Sequence, residues 1–165
     1  MLVNAYYKAL AIYAVGSPIT VKTTQGSAST SYFSESNCYN VLALRTACTA
    51  LVAGSSGTGV VIGSGSTPPT TNDYCMENQI TTVTGTVGLT KSIGDNQDYA
   101  SITALLTITN TGSEDITINE IGLQIKTTGN WTYLVERTVL DAPVTIASGG
   151  VGQITYSIRM NYPTE

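Results

Sequence analysis

Hydrophobic and polar residues alternate through most of the C-terminal half of the chain, which is the pattern of β-strands with one buried face. Over residues 99–110, for example, Ile102, Leu106 and Ile108 fall on one face of a strand. Short runs of Gly, Asn and Ser separate such segments, and these connections are too short for helical crossovers. The pattern predicts an all-β protein, an antiparallel β-sandwich that is Ig-like or jelly-roll-like. The other segments with this period are residues 80–89, 116–125, 131–139, 144–146 and 153–160.

The apolar parity changes inside one of these segments. Ile116 and Ile118 stand at even positions. Ile121 and Leu123 continue the apolar pattern at odd positions. A strand has a strict period of two, so we expect a bulge near residues 120–122, with Gly122 at the bulge.

Two residues on the longest apolar faces are expected to mark the core. Leu106 lies in the middle of residues 99–110, and Ile158 lies in the last segment. We expect truncation of either side chain to Ala to cost about 2–5 kcal/mol, the range for large-to-small changes in a packed core.

The first 17 residues have the period of a helix instead. Their apolar side chains recur three or four positions apart, and Pro18 ends the segment because the residue before a proline is disfavoured in the α region. A helix of about four turns is marginal in water on its own, so another surface must cover its apolar stripe. Two alternatives are open: the helix docks on its own domain, or it is an arm that contacts a neighbouring subunit. The stripe consists of Leu2, Ala5, Tyr6, Ala9, Leu10 and Tyr13.

The domain organisation follows from these patterns. Residues 1–17 are predicted to form an N-terminal helical arm, and residues 18–165 a single β-sandwich domain with an irregular insertion at about 25–58. The insertion is rich in Ser, Gly and Thr. The elements expected before residue 80 are short strands at 19–23, 30–33 and 60–62, a helix or irregular segment at 37–53, and a turn-rich loop at 63–73.

The composition supports a β protein with a weakly charged surface. Thr contributes 27 and Ser 15 of the 165 residues, and only 11% of residues are charged, against about 25% in an average soluble domain. Seven basic and eleven acidic residues give a net charge of −4, and the basic residues are spread from Lys8 to Arg159 without a cluster. Nucleic-acid binding requires concentrated cations, so we expect no nucleic-acid partner.

The apolar run over residues 5–15 is too short to span a bilayer. It also lacks the basic n-region and the small-residue cleavage site of a signal peptide. We therefore expect no membrane partner, and synthesis in the cytoplasm without export.

The reactive side chains argue against catalysis. The chain has no His, which removes His-based acid–base catalysis, Ser-His-Asp and Cys-His arrangements and most zinc sites. Cys38, Cys48 and Cys75 are odd in number and have no C-x-x-C spacing, so free thiols are favoured over a disulfide or a metal site. We expect no catalytic residue, no cofactor and no metal.

Two loops superficially fit ligand-binding motifs. GSGSTPP at residues 63–69 follows a strand, but it has two prolines and no Lys where a phosphate loop needs G-x-x-x-x-G-K-[ST]. DNQD at residues 95–98 is rich in oxygen but lacks the EF-hand spacing for calcium. We interpret the first as a rigid surface loop and the second as a solvated hairpin tip.

Other candidate residues also have plain structural interpretations. Glu35, Asp73, Glu77 and Asp141 could supply paired carboxylates for hydrolysis, but nothing in their spacing brings two of them together. The sequon NWT at residues 130–132 is interpreted as a chance match, because no export signal accompanies it. Ten Tyr and one Trp could line a sugar-binding surface, but such residues more often pack sandwich edges and subunit contacts.

Three groups of short motifs follow one another along the chain. The first is VNA at residues 3–5 with LA at 10–11, and the second is IGSGSTPPTTND at residues 62–73. The third comprises EIGL, LVER, PVTI and ITYSI, which begin at Glu120, Leu134, Pro143 and Ile154. In this order they resemble the pattern of small virion structural proteins of tailed bacteriophages, a family of tail-fibre, collar and decoration-like proteins. The resemblance does not cover residues 20–56.

This resemblance implies a virion component without a catalytic site. Such a chain would be a homo-oligomeric subunit of head decoration, neck or collar, or tail, with copies of itself and other virion proteins as partners. Weak contacts repeated by symmetry suffice in an assembled particle. Two alternatives are open: a cell-surface β-sandwich adhesin or pilus-like subunit, against which the missing export signal counts, and a carbohydrate-binding module. A glycan is the least favoured partner.

Overall fold

The computed structural model describes residues 1–15, 20–29, 48–54, 56–93, 99–127 and 130–161. Within these ranges the chain forms one helix and eight strands. They are α1 (Asn4–Val15), β1 (Val21–Lys22), β2 (Ala28–Ser29), β3 (Gly59–Gly63), β4 (Val83–Ile93), β5 (Tyr99–Asn110), β6 (Ile116–Lys126), β7 (Thr132–Ile146) and β8 (Val151–Asn161).

Six of the strands form two antiparallel three-stranded sheets whose facing sides share one core. The strand order is β3-β6-β7 in one sheet and β4-β5-β8 in the other, while β1 and β2 pair as a small hairpin. The prediction of an all-β antiparallel sandwich with a short N-terminal helix is confirmed. β5 has the predicted bounds, whereas the segments predicted at residues 131–139 and 144–146 join into the single strand β7.

Side chains from the facing sides of the two sheets fill the space between them. Leu106 and Ile108 of β5 belong to one continuous hydrophobic cluster with Ile121 and Leu123 of β6, and all four are fully buried. Ile158 of β8 is only half-buried at the margin of this cluster. Leu106 is therefore a core residue as expected, whereas Ile158 packs against the core from its margin and is not fully buried.

The β3-β6-β7 sheet is buried on both faces. All five residues of β3 are buried, although only alternate ones face the other sheet. A second cluster, formed by Val3, Val61, Met76 and Leu134, lies on the opposite face. Residues 1–3 and 64–78 supply the layer that covers this face, which we call the outer layer. Burial on both sides explains why the apolar residues of β3 are consecutive rather than alternating.

Two register shifts interrupt the pairing of β6 with β7. One lies between Ile118 and Glu120, at the start of the span where the change of parity predicts a bulge. The other lies between Leu123 and Gln124, and it leaves Val135 of β7 without a paired residue on β6. No change of apolar parity along β6 indicates this second shift.

The second shift determines which way two charged residues of β7 point. Glu136 pairs with Leu123 and faces the other sheet, whereas Arg137 pairs with Gly122 and faces the outer layer. Gly122 thus lies in regular pairing, which corrects its assignment to the bulge. A Cβ on Gly122 would lie 2.6 Å from the Met76 sulfur, so the missing side chain leaves room for the outer layer.

The first three residues add a short strand to the free edge of β7. The Val3 N–H donates to the Val135 carbonyl at 3.1 Å, and the Arg137 N–H donates to the Met1 carbonyl at 3.0 Å. An isolated bridge at Leu2 lies between these two bonds. The N-terminal segment is therefore part of the outer layer of its own chain.

α1 docks on its own domain through small side chains. Ala5 and Ala9 are buried, as the helical stripe predicts. Leu10 belongs to the same predicted stripe but is 48% exposed, and Tyr7 is equally exposed, so the stripe is wrong at Leu10. Small residues allow the helix to approach the sheet closely, and Tyr6 is half-buried against the same core, whereas Tyr7 and Leu10 face outward. Contacts of this helix with a neighbouring subunit stay a prediction.

The segment between α1 and β3 lies only partly within the described residues. The strand expected at residues 19–23 is the two-residue strand β1, and the strand expected at residues 60–62 is β3. The predictions for residues 30–33, for most of residues 37–53 and for residues 95–98 concern parts of the chain outside the described ranges.

Truncation of Leu106 tests the assignment of the core. Leu106→Ala should lower the free energy of unfolding by about 2–5 kcal/mol, because it leaves a cavity in a fully buried cluster. Ile158→Ala should cost about 1–2 kcal/mol, because a half-buried side chain loses less contact. Leu105→Ala is the matched control, since this neighbour is 44% exposed and should change stability by about 0.5 kcal/mol or less. Urea denaturation measures all three, and a larger loss at Leu105 than at Leu106 would show that the faces of β5 are reversed.

Candidate functional site

The guanidinium of Arg137 is buried against three carboxylates. Its Nε donates to Glu120 Oε2 at 2.6 Å, its Nη1 to Asp73 Oδ2 at 2.8 Å and its Nη2 to Glu77 Oε2 at 3.2 Å. The side chains of Arg137 and Glu120 are 3% and 0% exposed, whereas those of Asp73 and Glu77 are 20% and 42% exposed. We call these four residues the Arg137 cluster. It joins β6 and β7 to the loop of residues 64–78.

Glu120 also accepts hydrogen bonds from the main chain of that loop. Its Oε1 accepts from the N–H groups of Gly65 at 3.2 Å and Asn78 at 2.9 Å, and its Oε2 accepts from the Glu77 N–H at 3.3 Å. A buried carboxylate is costly unless donors fill its lone pairs, and these amides and Arg137 supply four donors. Both ends of the loop are therefore fastened to one carboxylate on β6.

The rest of the loop is ordered by its own side chains. The N–H and hydroxyl of Thr67 both donate to the Glu77 carboxylate, at 2.8 and 2.7 Å. The N–H and hydroxyl of Thr70 donate to Asp73 in the same way, at 3.1 and 2.7 Å. The two prolines between these threonines fix their own φ angles. Asp73 and Glu77 are therefore already oriented when they meet Arg137.

Two glycines, Gly63 at the end of β3 and Gly65 in the loop, allow the close approach of Glu120. A Cβ on Gly63 would lie 2.3 Å from Glu120 Oε1, and a Cβ on Gly65 would lie 2.7 Å from the same atom. Either contact is too short for a real side chain, so the glycines make space for the carboxylate. The Gly-rich sequence at residues 63–69 thus surrounds a carboxylate of its own chain, where a phosphate loop would surround a ligand.

The cluster shifts the pKa values of its members. Burial acts to raise the pKa of Asp73, but hydrogen bonds from Thr70 and from Arg137 lower that pKa below its usual value. Hydrogen bonds from the Thr67 hydroxyl and amide lower the pKa of Glu77. Burial acts to lower the pKa of Arg137, but the carboxylates nearest to it raise that pKa above its usual value. All three groups are therefore charged at neutral pH.

A second buried carboxylate, Glu136, lies on the opposite side of β7 between the two sheets. It accepts hydrogen bonds from the hydroxyls of Tyr156 and Thr138 and from the amino group of Met1. Burial and then Glu136 raise the pKa of Tyr156 well above its usual value. Burial and then Glu136 raise the pKa of Cys48 to about 11. Because the thiolate is the reactive form, the Cys48 thiol is unreactive at neutral pH.

The sequence predicts no pairing among four candidate carboxylates, and the structure corrects this for two of them. Asp73 and Glu77 share the guanidinium of Arg137. Asp141 is exposed on β7, and Glu35 lies outside the described residues. Hydrogen bonds from Thr67 and Thr70 orient the carboxylates of Glu77 and Asp73, and sequence spacing alone does not show these bonds.

Glu120 and Glu136 are not predicted as candidate site residues from the sequence. Glu120 adjoins Ile121 in β6 and Glu136 adjoins Val135 in β7, and a charged residue beside apolar strand residues is buried only when it has a partner. Arg137 is the one cation in the β7 segment after Trp131. These charged positions within apolar strands are the signal that could have identified the cluster.

The Arg137 cluster is suited to fastening a loop to a sheet. Its four charged groups bond to one another or to the loop. In the part of the chain that the structure describes, no three His, Cys, Asp or Glu side chains are grouped to hold a metal ion. No helix in the described ranges has the length and hydropathy that a membrane crossing needs. Comparison of the chain with protein-family models, with curated proteins and with solved structures gives no match.

Replacement of Arg137 tests how much the cluster contributes to the free energy of unfolding. Arg137→Met should lower the free energy of unfolding by about 3–5 kcal/mol, because it leaves the fully buried Glu120 without its cation. Arg159→Met is the control, since this exposed arginine stacks on the ring of Tyr99 at 3.7 Å and should cost about 1 kcal/mol or less. Chemical denaturation measures both, and similar losses for the two variants would contradict the assignment.

The lowered pKa values of Asp73 and Glu77 predict a loss of stability in acid. A carboxylate whose folded pKa lies below its unfolded value stabilises the fold above the unfolded pKa, and that stability is lost as the pH falls through the folded pKa. We expect the loss to begin below about pH 5 and to continue below about pH 4. The double variant Asp73→Asn, Glu77→Gln should show a flatter dependence of unfolding midpoint on pH in this range. Parallel curves for wild type and variant would contradict the prediction.

Proposed function

We propose that the chain is a non-enzymatic structural component of a bacteriophage virion, a homo-oligomeric subunit of head decoration, neck or collar, or tail. The observation that carries the proposal is the convergence of motif residues in the Arg137 cluster. Asp73 belongs to the motif IGSGSTPPTTND, Glu120 to EIGL and Arg137 to LVER. Arg137 and Asp73 are 64 positions apart along the chain, yet their side chains form a hydrogen bond. The motifs that carry the resemblance to small virion proteins thus build one structural element.

The bonding of these residues supports a structural role. Arg137 and Glu120 are buried, and they bond to each other and to the loop. A catalytic acid or base must reach a proton on a substrate. The more accessible carboxylates of Asp73 and Glu77 instead accept from threonines of the loop. A loop fastened in this way suits a subunit that presents a fixed surface to its neighbours.

The outer face of the β4-β5-β8 sheet supports burial in an assembly. Cross-strand pairs on this face consist mainly of Thr and Ser, such as Thr103 with Ser157, whose hydroxyls lie 3.0 Å apart. Leu105 and Val151 are exposed on the same face, at 44% and 64%. Covering neutral hydroxyls and apolar groups costs far less desolvation than covering charges. Repetition by symmetry then adds many weak contacts into a stable particle.

Mass spectrometry of gradient-purified phage particles tests this proposal. We expect the chain among the structural proteins of particles released by the cells that produce it, at a fixed copy number relative to the major capsid protein, which serves as the internal standard. Absence from the particles, with the chain found at the cell surface or in the secreted fraction, would contradict the proposal and favour an adhesin. Thermal stabilisation of the purified chain by sugars, with the chain absent from particles, would favour a carbohydrate-binding module.

A further inference from the structure

We propose that the chain forms a two-fold dimer in which the outer edge of β8 pairs with the same edge of a second copy. The three-stranded β4-β5-β8 sheets of the two copies then join into one antiparallel sheet. This inference rests on the proposed function, and it deepens that function because it names the surface through which subunits meet.

Both outer edges of the β3-β6-β7 sheet are covered or interrupted. Residues 50–52 cover β3 through two main-chain hydrogen bonds with Val60, of 2.7 and 2.8 Å. Residues 1–3 cover the middle of β7 in the same way. Further along, β7 carries Asp141 and Pro143. Charged residues and prolines at a sheet edge are features by which natural proteins prevent pairing with another chain.

The β4-β5-β8 sheet has one edge with such features and one without. β4 contains Lys91, and its glycines Gly85 and Gly88 weaken it as a template for pairing. β8 contains no Lys, Pro, Asp or Glu, and its one charged residue, Arg159, stands near its end. The 11 residues of β8 pair with β5 without a register shift. A long and regular edge of this kind favours the addition of a further strand.

The main-chain groups of alternate β8 residues point to this edge. The Asn110 N–H donates to the Gly150 carbonyl at 3.0 Å, which places Gly150 in a hydrogen-bonded pair with the end of β5. Because these directions alternate along a strand, the even-numbered residues of β8 bond to β5 and the odd-numbered ones, 151–161, turn their N–H and C=O groups outward. Within the described ranges no main-chain hydrogen bond reaches these outward groups. An added antiparallel strand would satisfy them.

A cleft of about 430 Å³ leaves space beside the same edge. Its lining includes residues 138–141 of β7 and the five consecutive residues 155–159 of β8. Successive side chains of a strand point to opposite faces, so a cleft that all five line follows the edge of β8 and not one of its faces. The half-buried Ile158 lies in this lining, and a strand added to the edge would cover it.

The edge of β8 is complementary to itself. Full overlap of two antiparallel copies of the strand places the two-fold axis at Tyr156 and sets Thr155 opposite Ser157 of the second copy. The same type of pair already joins β5 to β8 on this face, where the hydroxyls of Thr103 and Ser157 lie 3.0 Å apart. The contact between copies would therefore repeat a pairing that the sheet itself uses.

The charges of β8 also permit this pairing. In the fully overlapped register Arg159 lies opposite Gln153 of the second copy. The two Arg159 side chains are then separated by six positions along the strands, or about 20 Å, which exceeds the screening length of about 10 Å at 0.1 M salt. No like charges face each other. A two-fold contact also uses the free edge of both copies at once, which a strand from an unrelated protein would not do.

Sedimentation of the full chain at several concentrations tests the inference. We expect wild type to form dimers. Thr155→Lys should raise the dimer Kd by about tenfold or more, because the two added ammonium groups become diagonal neighbours about 7–8 Å apart across the axis. Thr86→Lys is the matched control, since it adds the same charge at an exposed residue of β4 on the same face. This control should change the Kd by about twofold or less.

An equal mixture of Thr155→Lys and Thr155→Glu chains tests the two-fold axis itself. The mixture should form heterodimers with a Kd within about threefold of that of wild type, because opposite charges now meet across the axis. A monomeric wild type or a mixture that associates no better than either variant alone would overturn the inference. An equal effect of Thr86→Lys and Thr155→Lys would overturn it too, and would favour pairing of β8 with β4 of another copy.

Hydrogen–deuterium exchange of the wild type provides a test that needs no variant. The outward amides of Thr155 and Ser157 should exchange more slowly at high protein concentration than at low concentration, while the Ile154 and Tyr156 amides, which bond to β5, keep the same rates. Rates at Thr155 and Ser157 that do not change with concentration would contradict the dimer. Detection of the chain in phage particles is independent of these results, so failure here is distinguishable from failure of the proposed function.

Discussion

The buried ion pair between Glu120 and Arg137 is the constraint on which the rest of the site depends. A carboxylate with no exposed side-chain surface must be matched by donors, and the chain supplies them from a second strand and from both ends of a surface loop. The glycines at 63 and 65 make room for it, and Asp73 and Glu77 complete the shell around its arginine. A loop with little regular structure is thereby held in a defined place.

The two faces of β7 show how a local irregularity serves this arrangement. The register shift opposite Val135 turns Glu136 toward the core between the sheets and Arg137 toward the outer layer, so adjacent charges reach separate partners. The first three residues pair with the same stretch of β7 and add to the outer layer. The helix that follows is consequently fixed against its own domain by Ala5 and Ala9, with Tyr7 and Leu10 facing outward.

The strands in which apolar and polar residues alternate are predictable from the sequence, whereas the Arg137 cluster is not. Alternation over residues 99–110 gives β5 with its observed bounds, and the change of parity indicates the irregularity beside Ile118. Leu10 is exposed although the helical stripe predicts its burial, because α1 packs on the sheet through Ala5 and Ala9. A hydrophobicity pattern gives such small residues less weight than Leu. The Arg137 cluster joins residues far apart in sequence through a loop ordered by Thr–carboxylate bonds. The spacing of residues along the sequence does not predict such contacts. Only the charged residues within apolar strands indicate that these side chains have charged or polar partners in the fold.

Hydrogen–deuterium exchange at the main-chain amides of Gly65 and Asn78 tests the central claim most directly, because both amides donate to the buried Glu120 carboxylate from a loop outside the sheets. Native-state exchange reports local opening, so amides fastened to the sheet should open only with it. We predict that both exchange as slowly as amides in the middle of β6, and that in the Arg137→Met variant both become fast while the β5 amides stay protected. Exchange of Gly65 and Asn78 in the wild type as fast as that of exposed turn amides would contradict the account.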